Sequence, residues 1–175
     1  MKSVKLSFLA LLFSILLSGT SEAQVSALIE GGMIQFTQTE NQTTQLGLQL
    51  SGKYSLNDNF RMGANLGYYF RSHSHPLLGN YHEYTMPVSL LAEYILIKHD
   101  FSPYVGLQGG MYRMGTAGDH ASSMVYTGFA PLVGFDYNLS ESLRLTANFR
   151  YHFIFSELDT STRALGVNAG IILDF

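Results

Sequence analysis

Three side chains that lie close together in the sequence, those of His152, Ser156 and Glu157, are of the types that perform nucleophilic catalysis. A histidine can act as the general base for a serine hydroxyl, and a carboxylate can orient the imidazole. Such a site needs the base within hydrogen-bond reach of the hydroxyl, and no His-x-Ser arrangement stands here. We therefore predict no catalytic residue and no enzymatic activity, and keep an acyl-transfer or acyl-hydrolysis site as the less favoured alternative.

Histidine is also a common metal ligand, and four histidines fall in connecting segments or at strand ends: His73, His75, His82 and His120. Neither a fixed spacing nor a carboxylate pattern accompanies them, so we predict no metal and no cofactor. The chain has no cysteine, which excludes disulfides and thiolate chemistry. A formal net charge of −3 without a basic stripe argues against a nucleic-acid partner.

A third group of reactive side chains consists of charged residues that recur at alternate positions and thus share the polar face of their segments. Five are positive and five are negative: Lys53, Arg61, Arg71, Arg144 and Arg150, and Glu30, Glu83, Glu93, Asp136 and Asp174. If these faces enclose one narrow interior, the charges must pair, because an unpaired buried charge is costly. We therefore predict an ion-paired, closed lumen rather than a catalytic or conducting one.

The elements that would position these residues are strands, because apolar and polar residues alternate with period two. The alternation is clearest over 44–56, 60–71 and 143–155, and five further segments cover 25–37, 81–96, 103–114, 124–139 and 165–175. The segments exceed the five or six residues of ordinary strands and match the 9–11 tilted residues that cross a bilayer. Tight turns at 57–59, 98–100 and 140–142 alternate with longer loops at 37–42, 72–80, 115–123 and 156–163. This pattern predicts an all-β fold, an eight-stranded antiparallel up-and-down transmembrane β-barrel.

A soluble barrel or sandwich is the alternative, since period two alone does not say which face is inside. The apolar faces are large and tipped with aromatic residues, and the polar faces carry many glycines, which suit a narrow lumen. Charged residues make up only 13% of the chain, whereas a water-facing surface is about 25–35% charged. These features favour the membrane barrel.

The amino-terminal segment has the features of a secretory signal. Lys2 and Lys5 precede an apolar run over 6–17, and Ser21 and Ala23 stand where a signal peptidase reads small residues. We predict a signal peptide over 1–23, a mature chain from about Gln24, and one barrel domain over 24–175. A retained amino-terminal anchor is the alternative.

The last strand resembles the carboxy-terminal assembly signal of bacterial outer-membrane barrels. Polar, glycine, hydrophobic and terminal aromatic positions are filled by Asn168, Gly170, Leu173 and Phe175, although an aromatic residue is more common where Leu173 stands. With the strands at 83–87 and 103–106, this end makes the chain similar to small eight-stranded barrels of the OmpA/OmpX type. It is closest to the outer membrane protein beta-barrel domain proteins of the Bacteroidetes type.

The resemblance implies a location in the bacterial outer membrane, with outer-membrane lipids, lipopolysaccharide and the barrel assembly machinery as partners. It is silent on activity. We expect a structural or interaction role, in envelope integrity or adhesion, with an unidentified extracellular ligand as a further possibility for the outer loops. The alternatives are a lipid A-modifying enzyme at the outer rim and narrow transport of small solutes. Arg113 has the outward parity near the outer end of its strand, which predicts either a contact with lipid phosphate or a local bulge.

Overall fold

The computed structural model describes residues 25–37, 43–75, 79–117, 121–155 and 161–175. Eight antiparallel strands form one closed barrel, in which each strand pairs with its neighbour in the chain and the last pairs with the first. The strands are β1 Val25–Phe36, β2 Thr43–Ser55, β3 Phe60–His75, β4 Gly79–Ile95, β5 Phe101–Ala117, β6 Ser122–Asn138, β7 Leu143–Phe155 and β8 Ser161–Asp174. The predicted fold class and strand count are confirmed. Within the described ranges, no helix is long and apolar enough to cross a membrane.

The two faces of the strands have the predicted chemistry. Along β2, Leu46, Leu48 and Leu50 are exposed, whereas Gln45 and Gln49 are buried in the lumen. A soluble barrel would show the reverse arrangement, since its apolar residues would fill the interior. The outward apolar surface is therefore the surface that meets lipid.

The barrel is closed by its two terminal strands. Ser26 stands opposite Asp174 in the β1–β8 register, and the Ser26 hydroxyl donates to the Asp174 carboxylate at 2.6 Å. The amide of Phe175 donates to the carbonyl of Val25 at 2.9 Å. Phe175 itself is largely exposed on the outer face, which is the position of an aromatic residue at a membrane interface.

The turns beside the termini are short and locally stabilised. The Asn57 side-chain oxygen accepts hydrogen bonds from the amides of Asn59 at 3.0 Å and Phe60 at 2.8 Å. This is an Asx turn, in which a side chain replaces a backbone acceptor. The hydroxyl of Ser102 donates to the carbonyl of His99 at 2.6 Å and closes the next turn in a similar way.

The opposite, outer ends of the strands differ from the prediction. Most of the segments predicted as loops over 72–80 and 115–123 is strand: β3 continues to His75, β4 begins at Gly79, and β5 and β6 pair up to Thr116 and Ser122. Serine, histidine and glycine indicated loops, but antiparallel pairing is made by backbone groups, and polar side chains suit a ribbon with water on both faces. The four strands β3–β6 thus extend beyond the described ends of the other four strands and form what we call the outer wall.

Candidate functional site

The lumen contains an ionic layer at the end nearest the chain termini. Glu93 accepts a hydrogen bond from Lys53 at 2.9 Å and forms an ion pair with Arg61 at 2.8 Å. Arg61 also forms an ion pair with Asp136 at 2.5 Å. Arg144 forms ion pairs with both Asp136, at 3.2 Å, and Asp174, at 2.6 Å. Three cations thus alternate with three carboxylates across the barrel. We call this set the inner ion cluster: Lys53, Arg61, Glu93, Asp136, Arg144 and Asp174.

An aromatic ring covers this cluster. Tyr104 lies with its ring centroid 5.4 Å from the Lys53 ammonium and 5.0 Å from the Arg61 guanidinium carbon, distances at which a cation is attracted to the ring face. Its hydroxyl is 3.1 Å from the Thr146 hydroxyl. The ring fits because Gly134 stands opposite, where a Cβ would lie 2.6 Å from ring atoms. Glycines on the polar face therefore make room for large lumen side chains, as the sequence indicated.

A second layer lies further toward the outer end and contains one ion pair within a network of amides. Arg150 donates to Glu30 at 2.7 Å and to the Gln49 carbonyl oxygen at 2.7 Å. Gln49 donates in turn to Glu30 at 3.1 Å, and Asn148 donates to the same carboxylate. Arg150 also approaches the Gln108 oxygen at 3.3 Å. The pair is buried, and its hydrogen-bonding groups are supplied by four strands.

The third layer is apolar and was not predicted. Two tyrosines begin it: Tyr69 donates to Asn168 at 2.7 Å, and the Tyr112 hydroxyl lies 2.9 Å from His152 Nδ1. Above them, inward-facing apolar side chains pack together, and we call this set the outer plug: Ile34, Phe36, Tyr69, Tyr112, Ile154 and Ala164. The consecutive apolar residues 153–155 carried the signal, because a segment apolar at every position has two apolar faces.

These layers account for eight of the ten charged residues proposed for the lumen. Each layer is balanced in charge, three to three and one to one, and the buried side chains fill the cross-section of a barrel that is only wide enough for side chains. Arg71 and Glu83 stand opposite each other in the β3–β4 register, above the layers, and are half-buried. Within the described residues, the three layers therefore fill the lumen with paired polar groups and apolar side chains.

The residues considered for catalysis and metal binding are not brought together by the described part of the chain. His152 is buried in the lumen against Tyr112, while Ser156, Glu157 and His120 lie outside the described residues, as do the side chains of His73 and His75. His82 is exposed, with its Nδ1 2.9 Å from the Ser72 hydroxyl. Over the ranges that the structure describes, no group of three His, Asp or Glu side chains is arranged to hold a metal ion.

The outer wall has two edges that are unpaired among the described residues. Within those residues, the pairing of β3 with β2 ends at Phe70 and the pairing of β6 with β7 ends at Thr127, although β3 and β6 both continue. Residues 122–126 of β6 are largely exposed, including Met124 and Val125. Beside this edge, a cleft of about 320 Å³ opens above the outer plug. It is lined by Met114, Ser122, Met124, Tyr126, Ile154 and Thr162.

Arg113 lies on the outer face of the wall. Its register with Met86 of β4 and Val125 of β6 is unbroken, so the bulge that was one explanation of its parity is absent from these two ladders. The guanidinium is exposed and donates to the Ser123 hydroxyl from Nη2 at 3.2 Å and from Nε at 3.4 Å.

The residues proposed as an assembly signal all lie in the closing strand or at its end. Asn168 is buried in the lumen and Gly170 is on the same face, whereas Leu173 and Phe175 face outward. This alternation suits a strand that must present both a lumen and a lipid face. Recognition of the strand by assembly machinery stays a prediction.

Comparison with known proteins identifies the architecture. The family model described as "Outer membrane protein beta-barrel domain" matches residues 6–171. Neisserial surface protein A is similar in structure, with a TM-score of 0.68 at 19% identity over 89% of this chain and 98% of that protein. Ail of Yersinia pestis, solved with the heparin analogue sucrose octasulfate, gives a TM-score of 0.66 at 16% identity over 88% and 99%. OprG of Pseudomonas aeruginosa gives 0.58 at 17% identity over 86% and 95%. No curated protein sequence matches the chain.

Proposed function

The chain belongs to the outer membrane protein beta-barrel domain family and is a protein of the bacterial outer membrane, and from this premise we propose that it is a closed interaction scaffold. In this role the filled barrel holds the outer wall outside the membrane, and the free edge of β6 binds an extended polypeptide. The observation that carries the proposal is the unequal height of the described strands, because β6 continues beyond its last pair with the described part of β7.

A free strand edge is a template for strand addition, since its unpaired N–H and C=O groups accept a further strand. Five residues of β6, 122–126, continue past the last pair with β7, which corresponds to about 16 Å of strand at about 3.3 Å per residue. Native edges are commonly protected by lysine, proline or a bulge. This one carries none of them and exposes Met124 and Val125 instead.

The cleft beside the edge supplies a means of selecting the partner. In an added strand, alternate side chains would point toward the cleft and the others toward water. The cleft is lined by Met114, Tyr126 and Ile154 together with the hydroxyls of Ser122 and Thr162. A side chain of intermediate polarity, such as methionine, leucine or tyrosine, fits this lining best.

The lumen supports a scaffold rather than a pore. Three layers of buried side chains occupy the barrel from the inner ion cluster to the outer plug. The structure of Ail, which has a similar fold, was solved in complex with a heparin analogue, and this supports an interaction role for barrels of this shape. We expect planar-bilayer recordings of the purified chain to show no steady conductance, and a stable single-channel current would contradict the closed lumen.

A peptide selection tests the interaction. A phage-displayed peptide library is selected on the mature chain held in lipid nanodiscs, and we expect the selected peptides to alternate apolar and polar residues. Val125→Lys, which places a charge on the free edge, should abolish their binding. Thr44→Lys adds the same charge on β2, which ends at the rim, and should leave binding unchanged. Failure to select any peptide, or equal binding to both variants, would reject the proposed edge.

We also propose that the role is non-catalytic. The support is the burial of His152, whose side chain is 2% exposed between the outer plug and the second layer and is therefore remote from lipid. Mass spectra of lipid A from cells with and without the gene should be identical. A reproducible gain or loss of an acyl chain would instead support the rim enzyme.

A further inference from the structure

The outward faces of β5 and β8 end in the same way at the outer side of the membrane. On β5, apolar outward residues extend from Phe101 to Met111, and Arg113 is the next outward residue. On β8 and the chain end, they extend from Phe175 to Leu165, and Arg163 is next. Ten residues at about 3.3 Å each, tilted by about 40°, rise about 25 Å, the height of the apolar band of an outer-membrane barrel. Both arginines therefore stand just beyond the band.

Outward aromatic residues mark the same level independently. They form two groups on the outer half of the barrel: Tyr68, Phe70 and Tyr84 on β3–β4, and Phe129, Phe153 and Phe155 on β6–β7. Aromatic girdles lie at the membrane–water interfaces. Arg163 is paired in register with Phe153, so its guanidinium is at the height of lipid headgroups.

The two arginines differ from the lumen cations in their surroundings. Arg61, Arg144 and Arg150 each contact a carboxylate. Arg113 and Arg163 are exposed, and neither forms an ion pair within the part of the chain that the structure describes. No described Asp or Glu faces outward at this end. Among the described residues, the outer interface is thus positive at two points that have no outward carboxylate beside them, and this charge suits an anionic ligand.

Local contacts hold both positions. The Ser123 hydroxyl accepts from Nε and Nη2 of Arg113, which leaves the Nη1 edge of the fork for a ligand. The Arg163 carbonyl accepts from both the amide and the hydroxyl of Thr37, at 3.0 Å and 3.2 Å, and this fixes the backbone from which its side chain extends. A planar guanidinium donates two parallel hydrogen bonds to a phosphate, which an ammonium does not.

We propose that Arg113 and Arg163 each bind a phosphate group of an anionic glycolipid in the outer leaflet. The two strands are three positions apart around an eight-stranded barrel, so the sites face different directions and take separate lipid molecules. The Arg163 site is separate from the β6 edge, whereas the Arg113 site shares Ser123 and the register partner Val125 with that edge. The lipid count of Arg163→Gln therefore tests the inference without the edge.

Native mass spectrometry of the full mature chain in detergent tests the proposal with bisphosphorylated lipid A as the probe. We expect two tightly bound lipids, one fewer in Arg113→Gln or Arg163→Gln, and none in the double variant. Loss of charge-assisted hydrogen bonds corresponds to an affinity about tenfold or more lower at each site. Arg113→Lys should bind less tightly than the native chain and more tightly than Arg113→Gln.

Two further experiments test which group of the lipid is bound and where on the barrel it binds. Dephosphorylated lipid A should bind at neither site, and inorganic phosphate should not displace lipid at equal concentration. Lys98→Gln removes one exposed positive charge at the opposite end of the barrel and should retain both lipids. The heat-dependent gel shift of each variant reports whether that variant is folded. Unchanged lipid counts in the arginine variants, equal loss in Lys98→Gln, or displacement by free phosphate would each overturn the proposal.

Discussion

Replacing Glu93 by glutamine removes a carboxylate that two buried cations, Lys53 and Arg61, share. Its oxygens lie 2.9 Å from the Lys53 ammonium and 2.8 Å from the Arg61 guanidinium, and the three side chains are at most 2% exposed. Arg61 retains Asp136 at 2.5 Å. Among the described residues, Lys53 retains only the Tyr104 ring at 5.4 Å. The inner ion cluster is left with three cations and two carboxylates, and breaking a buried pair in this way costs about 3–5 kcal/mol.

The measurement is the free energy of unfolding of the mature chain in lipid vesicles, from urea titrations. The chain contains no tryptophan, so far-UV circular dichroism replaces the usual fluorescence signal. The control is Asp58→Asn, which breaks the exposed 2.5 Å pair between Asp58 and Lys98. That variant should lose less than about 1 kcal/mol, because a solvated ion pair contributes little.

A double variant separates the charge argument from simple loss of packing. Lys53→Met combined with Glu93→Gln leaves two cations and two carboxylates, Arg61 and Arg144 with Asp136 and Asp174. Removing both partners of a buried pair is often neutral, so we expect the double variant to recover about 2 kcal/mol or more of the single loss. The reasoning is refuted if Glu93→Gln costs no more than Asp58→Asn, or if the double variant is as unstable as the single one.

Three further predictions concern packing, assembly and export. Gly134→Ala should cost about 1–3 kcal/mol, because its Cβ would lie 2.6 Å from a tyrosine ring, whereas Gly52→Ala has open space and should change the same unfolding free energy by less than about 0.5 kcal/mol. Phe175→Ser should lower the amount of folded barrel in outer membranes several-fold, as measured by the heat-dependent gel shift. Phe101→Ser changes another exposed aromatic residue on the same side and should not lower that amount. An equal loss in both variants would contradict a special role of Phe175. The intact mass of the exported protein should correspond to a chain beginning near Gln24, and a mass that includes residues 1–23 would show that the segment is retained.

The architecture was predictable because the signals for it are local. Alternation along 44–56 and 143–155 assigns each residue to a face without knowledge of any other strand, and the charge balance of the polar faces follows by counting. The partners were not predictable. Lys53 on β2 contacts Glu93 on β4, past the intervening strand β3, and such contacts depend on how the closed sheet staggers its strands.

The outer plug and the outer wall were missed for different physical reasons. Ile34, Phe36 and Ile154 point inward, contrary to the expectation of a polar lumen, because a narrow lumen excludes water and accepts apolar side chains wherever the cross-section is filled. The wall was missed because its polar sequence was interpreted as loops. A polar segment is a loop only when no neighbouring segment pairs with its backbone. In β3–β6, four consecutive polar ends stand side by side and satisfy one another's backbone groups.

The plug and the wall are mechanically one unit. Met114 and Tyr126 of the wall pack against the outer plug. Tyr69 of the plug donates to Asn168 and approaches Gln49 of the second layer at 3.4 Å, and the Tyr112 hydroxyl contacts His152. A strand edge recognises a partner through a row of backbone groups at fixed spacing, so it must be held rigid against a solid base. An open, water-filled lumen would leave the wall supported on one side only. In the proposed role, the closed lumen would therefore give the described edge of β6 a defined shape.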